Sequence, residues 1–206
     1  MLCKNEVILR GWILVPFELH HVTEDVQIFK GIIRTKRQSG TEDILPVHIT
    51  KELLNSLERI PKLDDFVEIK GSFHSRNVYG DDNKKHLQLY VQAKSIAYSD
   101  TNTNNSENII DISGLLINRG NTRITTSGRM VIDFQLATFR HTNRRSCIPC
   151  IAWGKKTEFV ESLQRDDTLG LKGRIQSREY TKFENGEYIT RTAYEVSVTE
   201  FVEVTD

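Results

Sequence analysis

The residues of this chain that could do chemistry are aromatic rings set beside cations. Trp153 precedes Gly154, Lys155 and Lys156, Phe139 precedes Arg140 with Arg144 and Arg145 close behind, and Lys172, Arg174, Arg178 and Tyr180 recur at even positions. Alternate side chains of a strand share one face. With Leu169, Leu171 and Ile175 directed into a core, the even-numbered group from Lys172 to Tyr180 falls on the opposite side. The same parity turns Ile132, Phe134 and Leu136 inward and leaves Phe139 outward at a strand end. It also turns Ile148, Cys150 and Ala152 inward and leaves Trp153 outside. Rings stack on unpaired bases and cations hold phosphates, which together are what a single nucleic-acid strand requires. One outward ring alone is as readily a cross-strand packing residue or a subunit contact. Three rings sharing a face with a cluster of cations favour binding.

Other chemistry finds few residues to carry it. Cys147-Ile-Pro-Cys150 has C-x-x-C spacing, but in a strand positions i and i+3 point to opposite faces, and the sequence holds no second such pair. Neither a metal nor a cofactor is expected, and Cys150 reads as a small core residue. His20 and His21 are predicted to lie in a loop beside Glu24 and Asp25, as solvated polar residues. No P-loop, nucleophile elbow or H-E-x-x-H is present, so an enzyme is not expected.

The elements that must position these residues come in two sets. Residues 99–108 are polar, without an aliphatic side chain, and read as a linker between a domain over 1–98 and another over 109–206. Asn5 to Gly11 aligns with Asn108 to Gly114, Ile44 to Val47 with Cys147 to Cys150, Asp64 to Gly71 with Asp166 to Gly173, and Ser75-Arg76 with Ser177-Arg178. The offset stays near 102 to 103 residues throughout, as an internal repeat requires. Period-2 alternation makes both halves mainly β. One short helix interrupts each: Thr50 to Ile60, with Thr50 as N-cap and Leu53, Leu54 and Leu57 buried, and Thr157 to Arg165, with Phe159, Val160 and Leu163 on one face. Three strands, a helix and two strands is the order of the five-stranded oligonucleotide-binding (OB) barrel. The expected fold is therefore all-β, with two such Greek-key barrels in tandem.

The first half repeats the cations better than the rings. Lys30, Arg34 and Lys36 share one parity, and Lys70 and Arg76 share another. Thr50 stands where Trp153 does, so Tyr79, near the counterpart of Tyr180, is the clear aromatic candidate. The first barrel is expected to bind more weakly, mainly through phosphates, or to be chiefly structural.

Lys+Arg and Asp+Glu both total 28, so no global positive field is expected to draw in duplex DNA, and local placement has to supply a basic groove. No run approaches a membrane-spanning length, and Cys3, Cys147 and Cys150 do not form a secreted disulfide framework. A cytoplasmic protein with no membrane association is expected.

Residues 108 to 204 resemble the bacterial single-stranded DNA-binding protein family. The likeness is carried by Phe134-Gln-Leu-Ala137, Cys147 to Lys155, Leu171 to Tyr180 and Tyr194 to Phe201. The first half is a fainter copy, through Val7 to Gly11 and Val67 to Gly71. The resemblance implies base stacking at Trp153 and Tyr180, on a platform reduced where Cys147 and approximately Thr142 replace family aromatics. It also implies sequence-tolerant protection of single-stranded DNA in replication, recombination or repair, and a homodimer carrying four barrels. The chain closes on Phe201 to Asp206 without the acidic tail through which that family recruits partners, so recruitment by that route is not expected. Two rival readings share the fold: a primosomal-type protein-interaction module and an RNA binder.

Overall fold

The computed structural model describes residues 4–79, 83, 85–99, 105–139, 145–184 and 186–204. In the first half, β1 (Asn5–Thr23), β2 (Val26–Lys36), β3 (Glu42–Thr50), β4 (Phe66–Tyr79) and β5 (Lys85–Tyr98) surround a core that includes Leu9, Ile33, Val47, Ile69 and Phe73. Helix α1 (Lys51–Asn55) lies between β3 and β4. β1 pairs with both β2 and β4, β4 with β5, β2 with β3, and β3 with β5 in parallel, which closes a five-stranded circuit. The second half repeats it with β6 (Glu107–Arg119), β8 (Met130–Phe139), β9 (Arg145–Trp153), α2 (Lys156–Ser162), β10 (Thr168–Glu184) and β11 (Glu187–Val202). It adds a two-residue strand, β7 (Arg123–Ile124), on β8. The tandem OB barrels expected from the sequence are the observed architecture.

Glycine makes the repeated sharp features possible. A Cβ on Gly71 would stand 2.2 Å from the Gln92 carbonyl oxygen, and one on Gly173 would stand 2.3 Å from that of Ser197. Both residues sit where the register slips against the returning strand, between Lys70 and Gly71 and between Lys172 and Gly173. A bulge of this kind lets the strand bend around the barrel only where backbones can touch.

The two barrels share one sheet. β1 runs antiparallel to β6, with Val7 opposite Ile110 and Leu9 opposite Asn108. Because Val7 and Ile110 occupy equivalent repeat positions, the contact is pseudo-twofold, and the polar groups at its rim come in matched pairs. The Asn5 amide donates to the Phe73 carbonyl (2.7 Å) and its oxygen accepts from Phe73 N (2.8 Å). Asn108 does the same with Ile175 (2.6 and 2.9 Å). Ser75 Oγ accepts from Cys147 N and Ser177 Oγ from Ile44 N, each bond crossing from one barrel to the other (2.7 and 2.9 Å).

Some elements depart from expectation. β6 begins at Glu107, inside the segment read as linker; residues 100–104 lie outside the described residues. Both helices are shorter than expected, ending at Asn55 and Ser162, and in the turns that lead on to β4 and β10 Asp64 and Asp166 take positive φ (64° and 70°). Asp65 and Asp167 then accept from Lys62 N and Gln164 N. Thr50 is the N-cap, accepting from Leu53 N at 3.3 Å, and Leu54 and Val160 are buried. Phe159 instead stays 43% exposed, with one face on Phe201. His20 and His21 are not in a loop: β1 runs through both to Thr23.

Candidate nucleic-acid interface

Trp153 ends β9 opposite Val131 and is half-buried, with the Arg129 guanidinium 4.9 Å over its ring. That stacking holds the indole in place while adding a positive charge above it. Beside the ring lies a cleft of about 510 Å³. Its walls include Arg119, Arg123, Asp133, Gln176, Arg178 and Glu195. Arg123 is held against Asp133, and the Gln176 amide donates to Glu195 at 2.6 Å, so much of the wall is braced.

A longer groove of about 1290 Å³ leaves the other side of Trp153 and follows the seam between the barrels. The second barrel contributes Arg129, Lys156, Lys172, Arg174 and Arg178, and the first contributes Lys36 and Arg37. Arg37 Nε donates to the fully buried Asp43 carboxylate at 2.8 Å, and the same carboxylate accepts Ser177 N at 2.9 Å. Arg174 has only a long bond to Gln176 (3.3 Å), and its Nε is buried with no partner among the described residues. Burial first, then the like charge of Arg37, lowers the Arg174 guanidinium from its usual range, while Asp43 pulls the other way. The seam thus carries two guanidiniums for one carboxylate, an arrangement that a phosphate would satisfy.

Five of the expected site residues line this groove together: Trp153, Lys172, Arg174 and Arg178, joined by Lys36 from the first barrel. Lys172 also pairs with Glu200 at 3.1 Å. Phe139 and Arg145 meet each other at 5.2 Å where β8 and β9 begin to separate, rather than in the groove. Tyr180 and Tyr79 are exposed on the β10–β11 and β4–β5 hairpins, Tyr79 with Lys85 over its ring, and neither lines the groove. Lys155 precedes α2 and is exposed, whereas Lys156 enters the groove, because α2 begins there. Arg140 and Arg144 lie outside the described residues.

The remaining first-barrel cations are engaged elsewhere. Arg34 covers Trp12 at 5.5 Å and faces Glu42 and Asp64 (3.8 and 3.9 Å). Lys70 pairs with Glu68 at 3.3 Å. Arg76 donates to Gln88 (2.6 Å) and to His20 (2.8 Å). Strand parity identified their faces but not their partners. Arg37 and Arg129 escape the sequence reading because they sit at hairpin turns, where parity has no meaning, and Lys156, adjacent to Trp153 in sequence, is given no contact there because it belongs to no alternating run. Cys150 is 1% exposed, and burial raises the thiol pKa of Cys147 and, further, of Cys150.

Residues 107–204 match the single-strand binding protein family. A curated relative, single-stranded DNA-binding protein 2 of Streptomyces coelicolor, is 32% identical over 105 residues, 46% of this chain and 51% of the relative; the chain thus spans about half of that protein's length. The crystal structure of the wild-type single-stranded DNA binding protein from Thermus aquaticus superposes with a TM-score of 0.78 at 17% identity, covering 100% of this chain and 95% of that one. A deletion mutant of the same protein gives 0.76, over 99% of this chain and 96% of that one, also at 17% identity. These structures establish the shared fold. The likeness to the single-strand binding protein family is thus carried by the second barrel, residues 107–204.

Proposed function

We propose that the chain is a non-enzymatic, sequence-tolerant binder of single-stranded DNA, and that the strand follows the groove from the second barrel across the seam. The observation that carries this reading is the continuity of one groove from the Arg129-braced Trp153 through Arg178 and Arg174 to Arg37 and Lys36. Bases stack on Trp153, with Phe139 and Tyr180 as outlying contacts. Phosphates lie along Lys172, Arg174, Arg178, Arg37 and Lys36. The family match of residues 107–204 and the names of the relatives support the ligand class. The proposal divides the chain into two barrels near residues 99–108. It extends to a homodimer with four barrels, acting in the cytoplasm on DNA exposed in replication, recombination or repair.

Trp153→Ala is expected to cost about 1–3 kcal/mol of binding to oligo-dT, read by fluorescence anisotropy. An unchanged affinity removes Trp153 from the site. Affinity for oligo-dT is expected to exceed that for duplex of equal length and to fall steeply as salt rises. A weak salt response would instead favour a protein-binding module, and tighter binding of oligo-U than of oligo-dT would favour RNA.

A further inference from the structure

The open face of the second barrel has a covered counterpart in the first. Lys30 lies opposite His48 as Asp133 lies opposite Ile151, and His74 lies opposite Tyr90 as Gln176 lies opposite Glu195. The cleft wall formed by Ile151, Gln176, Arg178 and Glu195 is therefore represented in the first barrel by His48, His74, Arg76 and Tyr90. In the second barrel β6 stops at Arg119, and the chain that follows, with β7 paired on β8, lines the cleft through Gly120, Arg123 and Thr125. In the first, β1 continues to Thr23, turns through Glu24 and Asp25, both at positive φ (48° and 64°), and returns as β2. Two consecutive left-handed residues are what a tight two-residue hairpin needs.

This longer hairpin lays His20 and His21 over the face. Ring centroids of His20 stand 4.9 Å from His21 and 5.1 Å from His48, and His48 stacks on Tyr90 at 4.0 Å. His48 is 2% exposed, and Arg76 is half-buried where its counterpart Arg178 is exposed. Hydrogen bonding fixes the charge of the cover. A guanidinium only donates, so His20 Nε2, 2.8 Å from Arg76 Nη2, accepts, and a proton there would break the bond. His48 Nε2 and His21 Nδ1 are buried without a partner among the described residues. A charge on either would be buried unpaired.

The charged groups bearing on His48 are His20 and His21 on β1, Lys30 on β2 and Arg76 on β4, all positive when protonated. Tyr90 on β5 stacks on its ring, and His74 on β4 lies beyond Tyr90. Burial and these charges push His48 down to about 3 and lower His20 and His21 as well.

We propose that the β1–β2 hairpin is a proton-releasable cover over a second single-strand-binding face, formed in the first barrel by His48, His74, Arg76 and Tyr90. The ligand rests on the function proposed above; the cover does not. Closed-state imidazoles have lowered pKa values, so the closed form is favoured above the ordinary imidazole pKa and loses ground as pH falls below it. His48 alone shifts the balance about tenfold toward opening between pH 7.5 and 5.5.

Hydrogen–deuterium exchange on the full chain, corrected for intrinsic rates, tests the cover. Protection of residues 17–30 is expected to drop more than about tenfold from pH 7.5 to 5.5, His20 and His21 adding to His48, while β10–β11 keeps its protection. His20→Gln/His21→Gln, which changes the hairpin and not the core, is expected to retain more protection at pH 5.5 than the unaltered chain. Constant protection of 17–30, or loss in step with β10–β11, overturns the cover. Oligo-dT binding by Trp153→Ala tests the face: it is expected to strengthen severalfold at pH 5.5, and less so when His20→Gln/His21→Gln is added. Opening without that gain overturns the second face. If the unaltered chain binds oligo-dT at neither pH, the single-strand reading fails, and exchange alone decides the cover.

Discussion

Arg174 and Arg37 contend for a single carboxylate, Asp43, and the geometry gives them different duties. Arg37 neutralises the buried Asp43, whereas Arg174 keeps a partnerless Nε beside a groove. Arg174→Gln is therefore expected to leave thermal stability intact and to reduce the slope of log affinity against log salt for oligo-dT by about 0.7, one phosphate contact. Arg37→Gln is expected to lower stability by about 1–3 kcal/mol in chemical denaturation, because Asp43 loses a charged partner where water cannot replace it. Equal effects of the two substitutions would contradict this division.

Among the elements, the edges facing the seam are tied by side chains that act as backbone. Asn108 supplies a donor and an acceptor to Ile175, and Asn5 does so to Phe73. Asn108→Ala leaves a strand N–H and a carbonyl unpaired in a partly buried place, and about 1–3 kcal/mol of stability is expected to be lost, measured by urea denaturation. The barrels themselves were legible in the chain, because alternation, the glycine pairs and the fixed repeat offset are local or periodic signals. The Asn108 bonds were not, since residue 108 reads as the end of a polar stretch until β6 is placed beside β10. The groove was legible in part: parity found Trp153, Lys172, Arg174 and Arg178, but it also put Arg76 and Arg34 on faces where tertiary partners occupy them. His20 and His21 were misread for the same reason. Nothing adjacent in sequence reveals that His48 awaits them.

For the molecule as a whole, balanced charge and a basic seam are compatible because screening confines the field to about 10 Å. A strand that engages only the second barrel should ignore Lys36, and one that crosses the seam should not. Lys36→Ala is accordingly expected to weaken long oligo-dT while leaving the shortest binding oligomers unaffected, in a length series titrated beside the unaltered chain. A uniform loss at every length would place the strand elsewhere. The proposed pairing of two chains is read directly by the molecular mass in solution, one chain or two.

The β1–β6 register is centred on one equivalent pair, Val7 with Ile110, so that Asn5 opposite Ile112 mirrors Leu9 opposite Asn108. Such an edge is self-complementary: separated from the first half, the stretch from Glu107 to Ile112 would offer unpaired amides and carbonyls that a second copy of itself could satisfy. Holding both copies on one polypeptide keeps that appetite internal, and it frees each half to accumulate changes that a symmetric pair of identical chains would have to suffer twice.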